Sequence, residues 1–158
     1  MESSSQKIID VLNELVQINH DRNEGYKVAS SETTDAQLKD LFQKYALQSD
    51  DLAEALTTEI LALDGKPVEG TRLDGKIYRI WMDVKAAIAG NDRQAILNSC
   101  EYGEDIALRT YSDALMADVI LPVNIRQLIS KQKRELQEAH SHIKSLRDAL
   151  STSERSIF

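Results

Sequence analysis

The sequence is poor in the residues that break or cross-link a chain. It has 6 Gly and 2 Pro among 158 residues, and its single cysteine, Cys100, excludes an intramolecular disulfide. Few breakers mean few turns, so a chain of this length must consist of long elements. Strand-like alternation bounded by turn residues is also missing, and this absence favours an all-α chain.

The sequence also lacks a basic face and a long apolar run. Its formal net charge is −7 with acidic residues along the whole length, so we expect no nucleic-acid partner. No window approaches the roughly 18 apolar residues of a membrane span, and residues 1–5 do not resemble a secretory signal. We therefore expect one globular domain over residues 1–158, located in the cytoplasm.

Apolar residues that recur every three or four positions predict helices throughout the chain. We predict four long helices at about 4–30, 34–64, 92–116 and 122–150, and one short helix at 76–89. Ser3 and Thr34 are predicted to cap the first two, and Gly65 to take the left-handed position after the second. Each long helix has one apolar face to bury, which predicts an antiparallel four-helix bundle.

The stretch from Gly65 to Gly90 decides the topology of this bundle. It is long enough to carry the chain back along the bundle, which would make the second and third long helices parallel, as in ferritin-like folds. A simple up-down bundle with a kink at Gly90 is the alternative. We favour the crossover, because one helix over 77–116 would overhang its partners by about a third of its length.

Polar residues interrupt the predicted core at one level of the bundle. The crossover topology gathers there two polar residues from each long helix: His20 and Glu24, Gln48 and Asp51, Glu101 and Glu104, Gln137 and His140. Ferritin-like di-metal centres use a Glu on two helices and Glu-x-x-His on the other two. The pattern predicts a site for iron or another divalent metal on Glu24, Glu101, Glu104 and His140, with His20 as a further candidate. It is incomplete, because amides stand where two carboxylates are needed.

A second interpretation needs no metal. Glu101 and Glu104 then reach water or Arg and Lys neighbours, and His140 donates a hydrogen bond to one of the two carboxylates. Cys100 lies on the apolar stripe and is interpreted as a small buried hydrophobe. Gly103 indicates close helix approach, room for an aromatic ring, or a gap for a small apolar ligand.

Several segments resemble a bacterial ferritin-like domain of unknown function in the rubrerythrin superfamily. They are Glu24-Gly25-Tyr26, Arg79-x-Trp81-Met82-Asp83-x-Lys85, Cys100-Glu101-x-Gly103-Glu104-Asp105, and His140 with Leu146-Arg147-Asp148-Ala149-Leu150. The resemblance implies a four-helix bundle related to rubrerythrin and ferritin, in bacterial cytoplasm. It implies no established reaction.

We accordingly expect a non-enzymatic bundle that acts through protein association, in a stress or storage context. The face of the short helix with Ile77 and Trp81 predicts a homodimer, beside a protein partner that the sequence does not name. The alternative function is a metal-binding bundle of the ferritin or rubrerythrin type that uses the incomplete carboxylate and histidine site.

Overall fold

The computed structural model describes residues 3–72 and 75–157, with side chains through residue 150, and this part of the chain contains helices and no strand. The helices are α1 (Ser4–Glu32), α2 (Ala36–Ala62), α3 (Lys76–Ala89), α4 (Arg93–Leu115) and α5 (Val123–Ile157). Their bounds lie within two residues of the prediction, except that α5 continues to Ile157. The all-helical prediction is therefore confirmed.

Side-chain contacts between helices fix the direction of each one. Helix α2 runs antiparallel to α1, because Arg22 contacts Ser49 and the later residue Tyr26 contacts the earlier residue Tyr45. Helix α4 is also antiparallel to α1, because Asn19 contacts Tyr111 and Tyr26 contacts Glu104. The same order of contacts applies to α5. Along α5, Asn124 contacts Glu59 and Gln132 contacts Leu52 of α2, while Gln132 contacts Tyr111 and His140 contacts Asp105 of α4. Helices α2 and α4 therefore run parallel to each other and antiparallel to α1 and α5, as the crossover prediction requires.

The connection between α2 and α3 lies alongside α1 and is held by side chains of α1. The hydrogen-bonded pairs are Asn13 with the backbone of Lys66 and Val68, Gln17 with the carbonyl of Gly70, and Asp21 with the amide of Arg72. The bonding residues of α1 are four positions apart, which is about 6 Å along a helix. Their partners in the connection are two positions apart, which is about 6.6 Å along an extended chain, so the two spacings match. The connection therefore travels in the direction of α1 and delivers α3 against its second half.

Side-chain caps begin the first two helices. Ser3 Oγ accepts from the amide of Gln6 at 3.1 Å, which confirms the predicted cap of α1. At α2 the prediction of Thr34 is wrong, because Asp35 accepts from the amide of Leu38 at 3.1 Å. A carboxylate in this position also interacts favourably with the positive end of the helix.

The end of α2 corrects the predicted role of Gly65. Asp64 takes the left-handed conformation, with φ of 60°, and the amide of Gly65 donates to the carbonyl of Ile60. A methyl group on Gly65 would lie only 2.8 Å from Ile9 and 2.9 Å from Ile60. Glycine is required there for close packing of α1 on α2.

The apolar core consists of two clusters. One surrounds Leu12, Leu56 and Ile129, and the other surrounds Phe42 and Leu97. Between them, the buried polar residues of the inner helix faces are Asn19, Arg22, Ser49, Glu104 and Gln132. This polar layer is the part of the interior with the chemistry to form a site.

Candidate functional site

An ion pair between Arg22 and Glu104 occupies the centre of the polar layer. Arg22 Nε lies 2.8 Å from Glu104 Oε1, and the side chains are 3% and 1% exposed. The guanidinium also donates to Ser49 Oγ and Gln48 Oε1, each at 2.8 Å. Although burial alone lowers it, the pKa of Arg22 is raised by the adjacent Glu104 carboxylate, so the buried guanidinium stays charged.

Tyr26 completes this centre from the next turn of α1. Its hydroxyl donates to Glu104 Oε1 at 2.5 Å, and burial together with the carboxylate raises its pKa well above the ordinary value. Burial and Glu104 also raise the pKa of the Cys100 thiol, which favours the neutral form. Cys100 is buried among core residues, in agreement with its interpretation as a small buried hydrophobe. Phenol and thiol therefore remain neutral beside Arg22 and Glu104.

A second group of buried polar side chains continues the layer toward α5. Asn19 Nδ2 donates to the Tyr111 hydroxyl at 2.8 Å, and that hydroxyl donates to Gln132 Oε1 at 2.6 Å. Gln132 Nε2 donates to the carbonyl of Leu52 at 3.1 Å. Burial raises the pKa of Tyr111, so its hydroxyl remains a donor. This group links all four long helices by hydrogen bonds.

The environment of Glu104 does not fit a di-metal centre of the ferritin type. Its Oε2 atom is buried and accepts no hydrogen bond within the described residues, so one ligand position is available. Its other oxygen, Oε1, accepts from the Tyr26 hydroxyl and from the cationic Arg22, and this cation would repel a metal ion. No three or more His, Cys, Asp or Glu side chains among residues 3–72 and 75–150 are grouped so as to hold a metal.

Glu101 and His140, which were predicted to share the metal site, meet in a separate cluster between α4 and α5. His140 Nε2 lies 2.7 Å from Asp105 Oδ1 and 3.5 Å from Glu101 Oε1. Glu101 also pairs with Arg147. The pairing of Glu101 with Arg147 agrees with the interpretation that needs no metal. The hydrogen bond predicted from His140 to Glu101 or Glu104 is not formed, because His140 Nε2 has no partner with hydrogen-bond geometry in the described residues. The cluster is partly exposed, with His140 21% and Asp105 50% accessible.

The other predicted ligands lie away from both clusters. Glu24 is exposed, and His20 approaches the carbonyl of Val68 in the connection. Of the remaining polar residues, Asp51 and Gln137 are exposed and Gln48 accepts from Arg22, as described above. Of the predicted ligands, the structure therefore brings only Glu101 and His140 near each other, and metal binding by the set stays a prediction.

The most important residue that the sequence analysis missed is Arg22. It falls in phase with Leu15, Asn19 and Tyr26, at spacings of four, three and four, and this phase is the signal that could have identified it. The neighbouring phase through Asn23 fits the period equally well. Asn23 is half-buried and donates to the carbonyl of Ala46.

A cleft of about 230 Å³ lies between α1 and α3, outside the polar layer. Its apolar lining includes Val28 and Ala29 of α1 and Trp81 of α3. Tyr78 and Met82 stand at its α3 side, 38% and 44% exposed. These two side chains, one helical turn apart, give α3 an outward apolar edge beside an open cleft.

Trp81 separates this cleft from the buried centre. Its ring packs edge-on against Tyr26, with centroids 4.7 Å apart, and its buried Nε1 has no hydrogen-bond partner in the described part of the chain. A methyl group on Gly25 would overlap the indole, since even the third-nearest ring atom is 2.7 Å away. Gly25 therefore lets α3 lie directly on α1.

The space beside Gly103 is filled by side chains of α3. A methyl group there would meet Ile80 at 3.5 Å, and Ile77 and Trp81 at 3.9 Å, which are ordinary contacts. The absence of a side chain at Gly103 predicted room for an aromatic ring, and the ring of Trp81 occupies part of this space. The predicted gap for a small apolar ligand is wrong, because these side chains occupy it.

Comparison with known proteins places the chain in a family. No curated protein matches it. Residues 7–117, which include α2, α3, α4 and nearly all of α1, match the sequence profile of a family described as a domain of unknown function (DUF2383). Arg22, Tyr26, Gln48, Ser49 and Glu104 all lie within the matched region. The chain therefore belongs to the DUF2383 family.

Proposed function

We propose that this protein is a non-enzymatic helical bundle that acts by binding another protein through the cleft between α1 and α3. The single observation that carries the proposal is the exposed pair Tyr78 and Met82 beside the apolar lining of Val28 and Trp81. Aromatic and methionine side chains are enriched at protein interfaces, where they supply contact area at low conformational cost. A stress or storage context remains part of the proposal.

The buried centre supports a role without catalysis. Arg22 and Glu104 neutralise each other, and Tyr26 and Cys100 stay protonated at neutral pH. A general acid or base needs a pKa near the working pH and access to a substrate. Arg22, Tyr26, Cys100 and Glu104 are all buried, so the centre lacks this access, and we infer that it specifies how the four long helices pack.

The homodimer predicted from the sequence stays a prediction, and the surface that would carry it needs correction. Ile77 is 8% exposed and packs inward, and Trp81 is half-buried. A second copy would instead cover Tyr78 and Met82, in competition with a partner protein. Sedimentation equilibrium at increasing concentration decides between these occupants.

A photo-crosslinking amino acid at position 78 tests the proposal in the cells that naturally make the protein. Position 102 is the matched control, because Tyr102 is also an exposed tyrosine, 57% accessible, and does not line the cleft. We expect position 78 alone to give discrete adducts, which the additional substitution Met82→Glu abolishes. Identical adducts from both positions, or adducts that survive Met82→Glu, would contradict binding at the cleft.

The alternative function is a metal-binding bundle. The observation that favours it is the unpartnered Oε2 of Glu104. Metal analysis of protein purified without chelator, repeated after anaerobic addition of Fe(II), tests it. About one equivalent that disappears in the Glu104→Ala, His140→Ala variant would support a metalloprotein. Less than about a tenth of an equivalent in both samples would exclude a resident metal.

We further propose that the bundle is related in fold to ferritin and rubrerythrin, and that the protein is bacterial and cytoplasmic. The parallel course of α2 and α4 with one crossover supports the kinship, because ferritin-like bundles use this connection. The free, buried Cys100 is compatible with a reducing compartment. In the described part of the chain, no helix is long and apolar enough to cross a membrane.

A further inference from the structure

The charges around the cleft give its partner a definite chemistry. The lining contains the acidic residues Asp21, Glu24 and Glu32 and the basic residues Arg72 and Lys85, so its formal net charge is −1. Most of these charges are already engaged within the chain. Lys85 Nζ lies 3.5 Å from Glu32 Oε1, and Arg72 Nη2 lies 3.8 Å from Glu14 Oε1.

Asp21 is also engaged, whereas Glu24 is not. The Asp21 carboxylate is buried and accepts from the amide of Arg72 and from Gln17. Glu24 is exposed and has no hydrogen-bond or ion-pair partner within the described residues. Glu24 is therefore the exposed carboxylate of the cleft that is left without a partner in the described residues, and it is adjacent in sequence to the Gly25 on which Trp81 packs. A partner would place a cation against it.

The shape of the cleft favours a helix as the binding element. Helices α1 and α3 run in the same direction, since Gly25 meets Trp81 and Glu32 meets Lys85 farther along both helices. The α1 wall from residue 21 to residue 32 is about 16 Å long, which equals three turns of a partner helix. No sheet edge exists in the described residues, so a partner has no strand to extend here.

A second copy of this chain is a poorer occupant than a basic partner. In a two-fold contact the same patch faces itself, so the two Glu24 carboxylates and their acidic neighbours would approach each other. The chain has a net charge of −7, which adds a general repulsion between copies. Both effects favour a cationic partner.

We propose that the cleft between α1 and α3 binds an amphipathic helix of a partner protein that carries an Arg or Lys on its apolar face. Its aliphatic side chains contact Tyr78, Trp81 and Met82, and its cation pairs with Glu24. This inference rests on the proposed function and deepens it by naming the class of partner.

The experiment uses Trp81, the single tryptophan of the chain, as a fluorescent reporter inside the cleft. The full chain is titrated with a synthetic tryptophan-free helix of about four turns, with leucines at i, i+4 and i+7 and an arginine at i+3. A second peptide carries glutamate in place of that arginine. We expect saturable quenching or shift of the emission with the arginine peptide, and binding at least about tenfold weaker with the glutamate peptide.

Variants separate the contributions of charge and of apolar contact. We expect Glu24→Gln to weaken binding of the arginine peptide about fivefold, and Met82→Ala about tenfold. Glu54→Gln, at an exposed carboxylate of α2 outside the cleft, is the matched control and leaves binding unchanged. Circular dichroism and urea denaturation of each variant show that the fold is retained.

Each of the following results would overturn the inference. Equal binding of both peptides, or no effect of Glu24→Gln, would show that charge does not select the partner. Absence of binding by the arginine peptide would show that the cleft does not accept such a helix. If sedimentation shows a dimer, and the Met82→Glu substitution converts it to a monomer, then a second copy of the chain occupies the cleft. Adducts at position 78 with a protein lacking such a helix would leave the proposed function standing while this inference fails.

Discussion

Two arginine–carboxylate pairs involve glutamates only three residues apart on α4, yet their surroundings differ completely. Arg22 and Glu104 are 3% and 1% exposed, and the arginine makes three hydrogen bonds. Arg147 and Glu101 are 24% and 14% exposed, and they share their cluster with His140 and the more exposed Asp105 and Asp148. Residue type is the same in both places, and only the helical phase differs.

This difference determines what each pair contributes. Removing one partner of a buried pair leaves a charge without water or counter-ion, whereas water and salt replace the lost partner near the surface. The first pair therefore fixes which helix faces meet, and the second adds little to the free energy of folding. The predictions below test this contrast, from the largest expected effect to the smallest.

The substitution Arg22→Met should have the largest effect. It leaves the Glu104 carboxylate buried without its cation, and we expect a loss of about 3–5 kcal/mol in the free energy of unfolding. The double substitution Arg22→Met, Glu104→Met should recover more than half of this loss, because no buried charge then remains. Urea denaturation measures both, and a double variant as unstable as the sum of the single variants would contradict the explanation.

The substitutions Gly25→Ala and Gly103→Ala should have opposite signs. The first would displace Trp81 from its edge-on contact with Tyr26 and should destabilise the protein by about 1–3 kcal/mol. The second meets only ordinary contacts and should gain up to about 1 kcal/mol from helix propensity. Thermal unfolding and Trp81 emission measure both variants. Equal destabilisation by both would show that the packing of Trp81 on Gly25 does not need glycine more than Gly103 does.

Alkaline pH should destabilise the interior through its phenols. Burial, with Glu104 nearby, raises the pKa of Tyr45 to about 12. The unfolded phenol ionises near about 10, so this stabilisation is full below pH ~10 and is lost as the pH rises toward 12. Tyr45→Phe should reduce the loss by about 1 kcal/mol at pH ~11, measured by urea denaturation. The exposed Tyr102→Phe is the control, and a reduction of the same size there would refute the burial argument.

The substitution Arg147→Met should have the smallest effect. It is chemically the same change as Arg22→Met, but it removes a partly exposed pair, so we expect a loss below about 1 kcal/mol. The loss should shrink further between low and high salt, because exposed charges are screened. A loss as large as that of Arg22→Met, or one that is independent of salt, would remove the contrast between the two pairs.

The sequence predicted the helices and the crossover because these depend on period and on breakers. Gly65, Gly90 and the spacing of leucines locate every helix end within a turn except the end of α5, which continues to Ile157. The centre was harder, because a period of 3.6 allows both Arg22 and Asn23 to face inward. Only packing of α2 and α4 selects Arg22, so the sequence left Glu104 open between a metal ligand and a partner of an arginine or lysine that it could not name.

No pattern in the sequence predicted that side chains of α1 bind the connection between α2 and α3. Asn13, Gln17 and Asp21 bond to backbone groups, and backbone groups are the same for every residue type. The polar face of α1 therefore resembled an ordinary solvated surface. Such contacts become visible only when the course of the chain is known.

The match between one helical turn of α1 and every second residue of the connection restricts insertions and deletions. One residue added or removed between Lys66 and Arg72 would turn the wrong backbone groups toward Asn13, Gln17 and Asp21. The segment that looks most like a tolerant loop in the sequence is thus among the parts of the chain whose length is most strictly set.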